Sequence, residues 1–426
     1  MKKVLQIKGK GKVRKVKAVE VMGLQEYGAL DLDSKAALIH DLIPLGLMHV
    51  KDVLQDDIKR LAGDRYQRNG VPGYVRWTKQ RGAVYIGEQR IPIIVQRVRD
   101  RINGKEVPLE SYERFQQPGG AVEEKLLRRI LHGLSCGNYR ECSEAIPEAF
   151  SLSSSTVSRR YIRASMRKLK ELMERPLERY DFVAVVLDGK RFGEDGIITA
   201  IGITMSGEKV VLGLIQSGSE NHSVCRDFLR GLIDRGLRHD QGLLFVIDGA
   251  KGFRKAITEV FRSLALVQRC QWHKRENVVE YLPKTLQAEY RRKLQRAYEK
   301  EDYQKARTAL MAIRAELKLI NASAVASLDE GFEETLTVHR LGLSKELRKS
   351  LKTTNMIESV LALVGQKTDK VDYWKNSDQK QRWVATALLS IEPRLNRVAG
   401  YRQLKNLRAA LQKQFHQIKG REAVAA

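Results

Sequence analysis

The chain has 426 residues, a formal net charge of +26, 42% hydrophobic residues and 30% charged ones. At ~150 residues per domain this length allows two to three domains, and the composition buries an ordinary core, which excludes wholesale disorder. No apolar run approaches the ~18 residues of a membrane span, the basic N-terminus lacks the apolar core of a secretory signal, and four cysteines are too few for a disulfide scaffold. The expectation is a soluble protein of a reducing compartment whose positive surplus meets a polyanion, nucleic acid before others. A ribosome-associated or membrane-surface protein would carry the same sum.

Residues 1–18 hold eight Lys/Arg and no acid. They read as a solubilising arm or as a phosphate-binding one. Residues 34–63 space their apolar side chains as a helix, interrupted at Pro44. Residues 74–99 read as strands around turns at Gly82 and Gly87, with Arg76, Lys79, Arg81, Arg90, Arg97 and Arg99 spread through them. With Tyr74, Trp77 and Tyr85, such a pair fits a DNA surface as well as it fits a solvated face. The Gly and Pro residues of 104–120 predict a linker.

A helical block follows over 121–178. One helix is expected over 123–132 with Leu126, Leu127, Ile130 and Leu131 inward, and a second over 139–150. A polar turn at 151–155 leads to a basic helix from 156 that stops before Pro176. Helix, tight turn and Arg-loaded helix form a helix-turn-helix pattern. Ser154 or Ser155 can cap the last helix. Thr156, Ser158, Arg159, Arg160 and Arg163 lie on its first turns, where a recognition helix meets bases and phosphates. An ordinary helical linker with a solvated basic face has the same pattern.

From Arg179 the period changes to that of strands. Residues 182–187, 196–204, 209–216, 243–247 and 265–268 are strand-like, with a hairpin turn at 205–208. Helical faces lie between them: Val224, Phe228, Leu229, Leu232 and Ile233, then Phe253, Ile257, Val260 and Phe261. Residues 271–281 also look helical. This order predicts an α/β fold: a mixed sheet with helices on both faces.

Two of those strands run into Asp-Gly, at Asp188 and Asp248. Strand ends are where such sheets place ligands, and glycine lets a backbone or ligand come close. Two converging carboxylates repel unless a cation lies between them. Oxygen ligands suit Mg²⁺ or Mn²⁺, and two such ions ~3.5–4 Å apart serve phosphoryl transfer. A third carboxylate would complete the set. Glu358, in a helix opened by Thr353 or Thr354, is one candidate, and composition does not separate it from Glu346 or Asp329. Cys270-Gln271-Trp272-His273 is a C-x-x-H element, and Cys225 lies nearby in sequence, but no second Cys/His pair completes a zinc site. From spacing alone, His273 is as well read as a packed, hydrogen-bonded histidine as a phosphate contact.

The stretch from Arg175 to Lys284 resembles the Mutator-type transposases of bacterial insertion sequences. The motifs are LDGK (187–190), GSEN (218–221), DRGL (234–237), VIDGAKGFRKAI (246–257) and QRCQWHKRENV (268–278), followed by TTNMIES (353–359). The resemblance implies a ribonuclease H-like catalytic domain with a DDE triad at Asp188, Asp248 and Glu358. It also implies that Cys270 and His273 are the family's C/D-x-x-H pair and that a helical insertion separates His273 from Glu358. Leu286, Tyr290, Leu294, Ala306, Leu310, Ile313, Leu317 and Ile320 are helix-spaced in agreement. Residues 360–380 carry fewer bases than related sequences, which argues against DNA contact there.

The predicted organisation is a basic region at 1–120, a helix-turn-helix domain at 121–178, a catalytic domain at 179–281 and 350–426, and a helical insertion at 282–349. The expected protein is a cytoplasmic, nucleoid-associated bacterial DDE transposase. It would use two Mg²⁺ or Mn²⁺ ions held by Asp188, Asp248 and Glu358, with His273 assisting. Terminal inverted repeats and target DNA are its partners, and joining two ends requires a homodimer or a larger synaptic oligomer. A DNA-binding regulator derived from such an enzyme, and a ribonuclease H-like nuclease acting on hybrids or junctions, are the alternatives.

Overall fold

The computed structural model describes residues 47, 49–65, 73–86, 89–116, 120–133, 154–217, 221–371 and 373–425. The expected features at 1–18, Pro44, Gly87 and 139–150 lie outside them. The chain divides into two compact units, one of residues up to 123 with 136–156, the other of 124–135 with 157–426.

In the first unit, helix α1 (49–62) places Val50, Leu54 and Ile58 one turn apart along one stripe. It packs on an antiparallel sheet of β1 (Tyr74–Ile86), β2 (Gln89–Asp100) and β3 (Glu106–Val107). Ile91, Ile93 and Val95 are buried while Ile94 is 70% exposed, the alternation of a one-sided sheet. Gly82 is not a turn. β1 runs through it in register with Ile93, and the Tyr112 hydroxyl occupies the space a Cβ would need. That hydroxyl accepts a hydrogen bond from the Ala83 amide at 3.3 Å. The expected linker is likewise packed as far as residue 116. It forms β3 and α2 (Glu110–Phe115), buries Leu109, and gives Ser111 to the Asp57 carboxylate through Oγ at 2.7 Å.

The bases of this sheet divide. Arg76 donates to the Gly63 carbonyl at 2.8 Å, Arg97 pairs with Glu106, and Arg99 donates to the Gly104 carbonyl and covers the Trp77 ring at 4.7 Å. Lys79, Arg81 and Arg90 are exposed.

The second unit opens with α3 (Gly120–Leu131), which buries Leu126, Leu127, Ile130 and Leu131 as its spacing predicts. Helix α4 (Ser154–Met173) begins at Ser154, so Ser154 and Ser155 lie in its first turn and its cap lies outside the described residues. Its inward stripe is Val157, Arg160, Tyr161, Ala164, Ser165 and Leu172.

A five-stranded mixed sheet in the order β6-β5-β4-β7-β8 forms the centre. β4 (Phe182–Phe192), β5 (Asp195–Thr204) and β6 (Lys209–Ser217) are antiparallel. β7 (Leu243–Ile247) and β8 (Ala265–Arg269) extend it in parallel. Val185 and Leu187 of β4 and Leu243, Phe245 and Ile247 of β7 point into an apolar core. That core is closed by α5 (His222–Asp234) and α6 (Lys251–Phe261). Cys225 lies in this core with Phe228 and Leu229.

After β8 come α7 (Gln271–Glu280), α8 (Lys284–Tyr298), α9 (Tyr303–Lys318), α10 (Ala322–Asp329), α11 (Phe332–Thr335), α12 (Thr337–Arg340) and α13 (Lys345–Leu351). Tyr290, Leu294, Ala306, Leu310, Ile313 and Leu317 are buried in a core of their own; Ile320, expected with them, is 40% exposed. The edge strand β8 is covered by the segment around Thr335 and Thr337. Gln268 donates to the Thr335 carbonyl at 2.9 Å, and Thr337 Oγ1 donates to the Val267 carbonyl at 2.7 Å. The chain then returns as α14 (Asn355–Thr368) and α15 (Ser377–Ile391) and ends in α16 (Leu404–Ala425). α14 packs on β4 and α15 on β6. Lys190 of β4 donates to the Leu361 carbonyl at 3.1 Å, which puts α14 on the sheet face that bears the even-numbered residues of β4. α15 also holds α4, with the Tyr161 and Trp383 rings 4.9 Å apart and Arg382 donating to Ser165 Oγ at 3.1 Å.

Candidate active site

The site starts from strand register. β4 and β7 run parallel and pair Val186 with Val246. Two residues further along both strands are Asp188 and Asp248, so an in-register parallel pair carries two carboxylates to one place on one face. Asp188 is not at a strand end as its Asp-Gly suggests. β4 continues to Phe192 because β5 pairs with it beyond the point where β7 stops, Asp188 facing Thr199. Asp248 does follow the last residue of its strand, and its Oδ1 accepts from the Ala250 amide at 2.9 Å, which fixes the carboxylate at the opening of α6. Gly249 has φ +121°, and the Arg269 guanidinium fills the space its side chain would take. Arg269 is held in turn by the Glu330 carbonyl at 2.9 Å.

The third acid arrives from the far side of the helical segment. The Gln271 amide donates to the Lys352 carbonyl at 3.0 Å, which pins the returning chain beside the end of β8. Thr354, fully buried, then sits before α14. Its side chain makes no capping bond. Its hydroxyl lies 3.3 Å from His273 Nδ1 and donates to Glu358 Oε1, and its amide donates to Cys270 Sγ at 3.4 Å. A hydroxyl has one proton, so with that proton on Glu358 it accepts from a protonated Nδ1. Cys270, His273, Thr354 and Glu358 thus form one connected group. The ligand atoms of Cys270, His273 and Glu358 lie within 4.8 Å of one another. Asp188 and Asp248 do not join that tight cluster, but Asp188 is close enough to feel Glu358.

Electrostatics links the two halves. Burial pushes the Asp188 carboxyl up to about 7, and the charges of Asp248 and then Glu358 add to it. His273 is raised by its hydrogen bond to Cys270, against burial, with the Glu358 and Asp248 charges assisting. For Cys270, burial would raise the thiol, but hydrogen bonds from His273 and Thr354 override it and lower the value. The rivals of Glu358 are elsewhere: Asp329 is paired with Arg314 at 2.6 Å, and Glu346 is exposed on α13. Cys225 is in the core of the opposite sheet face and takes no part. Thr354 was legible in the sequence only as a cap. The clue was a second threonine one turn before Glu358.

On α4, Arg159 and Arg163 are exposed and Ser158 is half-buried. Arg160, expected beside them, is 6% exposed on the inward stripe. Thr156 lies in the first turn.

A family model described as Transposase, Mutator family, matches residues 53–395. The chain belongs to the Mutator family of transposases. Curated relatives agree. The chain is 29% identical over 284 residues to the transposase for insertion sequence element ISRM5 of Rhizobium meliloti, covering 65% of this chain and 69% of that one. It is 25% identical over 398 residues to the transposase for IS256 in Tn4001 of Staphylococcus aureus, covering 88% and 94%. It is 30% identical over 194 residues to the transposase for IST2 of Acidithiobacillus ferrooxidans, covering 43% and 64%. Among the described residues of this Mutator-family chain, no helix is long and apolar enough to cross a membrane.

Proposed function

We propose that the chain is a DDE transposase that cleaves DNA at the terminal inverted repeats of an insertion sequence and transfers the 3′ ends to target DNA. Its strand order, three antiparallel strands followed by two parallel ones, supports a ribonuclease H-like catalytic domain. The observation that carries the mechanism is the convergence of Asp188, Asp248 and Glu358, whose mutual repulsion and burial raise Asp188. Such an oxygen-rich donor set fits two Mg²⁺ or Mn²⁺ ions. Bound there, they would activate a hydroxyl nucleophile and neutralise the leaving 3′-oxygen.

The side chains have separate duties. Asp188 and Asp248 are fixed by the sheet, so their spacing does not depend on substrate. Glu358 is oriented by the Thr354 hydroxyl, itself oriented by His273. Protonated His273 has a second N–H, at Nε2, to donate to a phosphate oxygen. Thr156, Ser158, Arg159 and Arg163 hold the element end in a helix-turn-helix mode, while Arg160 acts through packing. Two ends are joined, so the working form is a dimer or a larger synaptic complex.

The test is cleavage of a duplex carrying the element's inverted repeat, with and without Mg²⁺. Wild type cuts only with metal, and Asp188→Asn does not cut. Binding without cutting by wild type would leave only a DNA-binding regulator. Preference for an RNA–DNA hybrid or a junction would make the protein a nuclease of another kind.

A further inference from the structure

The segment 360–380 holds few bases, yet the fold adds others to it. At the C-terminal end of α14, Lys367 and Lys370 meet His132 from the end of α3 and Arg394 from beyond α15. Lys370 Nζ donates to the His132 carbonyl at 2.9 Å, and its chain lies across Gly133. A cavity of about 620 Å³ opens beside them, lined among others by Arg128, His132, Lys168, Arg175 and Arg394. Its two acids are already engaged: Glu171 with Lys168 at 3.0 Å, and Glu392 with Arg175 at 2.7 Å. Among the described residues no carboxylate pairs with Lys367, Lys370 or Arg394.

One cation suffices to answer the ~0.5 charge of a helix C-terminus. Three more groups crowd the same place, and their repulsion is visible. His132 is lowered by the charge of Lys367 first, then by burial and by Arg394 and Lys370. Gathering like charges that no acid pairs with costs free energy in the free protein and is relieved by an anion. From Glu358 to Lys367 is nine residues of α14, or ~14 Å along its axis.

We propose that Lys367, Lys370, His132 and Arg394 form a phosphate-binding site for the DNA backbone, at the end of α14 away from Glu358. The choice of DNA as the anion rests on the proposed function. The site positions without reading sequence, since phosphate contacts carry no base information.

The test uses the full chain and fluorescence anisotropy on a 20-bp duplex of arbitrary sequence, without metal, from 50 to 300 mM salt. Lys367→Gln with Arg394→Gln removes two phosphate contacts. The slope of log affinity against log salt then falls by about 1.8 and binding weakens about tenfold or more at 0.1 M salt. Arg394→Glu alone, at an exposed position, gives the same direction if the double variant is unstable. Arg238→Gln with Lys255→Gln removes the same charge at exposed positions of the loop after α5 and of α6. An unchanged slope in the first pair, or an equal fall in both pairs, overturns the site. The outcomes stay separable from the catalytic reading. A wild type that binds with the full slope but never cuts sinks that reading alone, and a first-pair variant that binds like a cutting wild type sinks this one alone.

Discussion

The two faces of the central sheet are built differently. On one, Val185, Leu187, Phe245 and Ile247 meet Phe228, Leu229, Phe253 and Ile257, all apolar and all from helices that directly follow a strand. On the other, Asp188 and Lys190 meet α14, and Lys380 pairs with Asp195 while Arg382 reaches Ser165. Its helices return only after the helical segment of 284–351. The dry face is local in sequence and can fold as consecutive strand–helix units. The charged face is assembled over long range, and its like charges oppose closure. Both faces bury apolar side chains, Val186, Leu244 and Val246 among them on the second, but only the second carries the candidate site.

Four measurements test that contrast. The largest effect belongs to the charged face. Asp188→Asn and Glu358→Gln should each lower strand cleavage by at least a thousandfold, about 4 kcal/mol of barrier, with the circular dichroism spectrum and melting temperature preserved or raised. A loss of folding instead would put these acids in the scaffold. Next comes the apolar face, where Phe245→Ala leaves a cavity in a fully buried position. Chemical denaturation should read a loss of about 3–5 kcal/mol, and a loss under 1 kcal/mol would mean the two faces share the load.

A third effect depends on pH. His339, 4% exposed on α12, bonds through Nε2 to the Tyr298 carbonyl at 3.0 Å. Burial pushes it down from 6.5 to about 4, and the Arg348 charge adds to this. Its folded value is depressed, so stability is whole above pH 6.5 and declines as pH falls to about 4. At ~1.4 kcal/mol per unit the loss is roughly 3 kcal/mol at most. Urea midpoints at pH 7 and pH 4.5 should differ less in His339→Gln than in wild type, and equal differences would dismiss the histidine. The smallest effect tests the relay. Thr354→Val keeps the shape and removes the hydroxyl between His273 and Glu358. Turnover should fall about tenfold, ~1.4 kcal/mol, with DNA affinity unchanged; a fall in affinity alone would make Thr354 a binding residue.

The strand and helix pattern from Phe182 to Glu280 could be read directly, because most of its strands and helices carry an unbroken apolar period. The errors have one cause. Gly82 resembled a turn and 104–116 a linker because glycine and proline mark any irregular backbone. Whether that backbone is a bend or a close packing contact depends on a partner, here Tyr112 and Asp57, distant in sequence. Arg160 faces inward for the same reason, since a helix's buried face is set by what covers it, here α15. The few bases of 360–380 argue against DNA contact, and only the proximity of Arg394 and His132 to Lys367 and Lys370 motivates the proposed phosphate site.

A basic protein, a mixed α/β core, two Asp-Gly positions and, through resemblance, the family are legible in the residues alone. Those follow from composition and from periods of two and 3.6 residues, which are local. Long-range packing set the parallel register that brings Asp188 beside Asp248 and the contacts of Lys352 and Thr354 that pin Glu358 next to His273. It also decided that four bases from three segments share one helix end. Register and chain return depend on contacts across dozens of residues, and no local period encodes them.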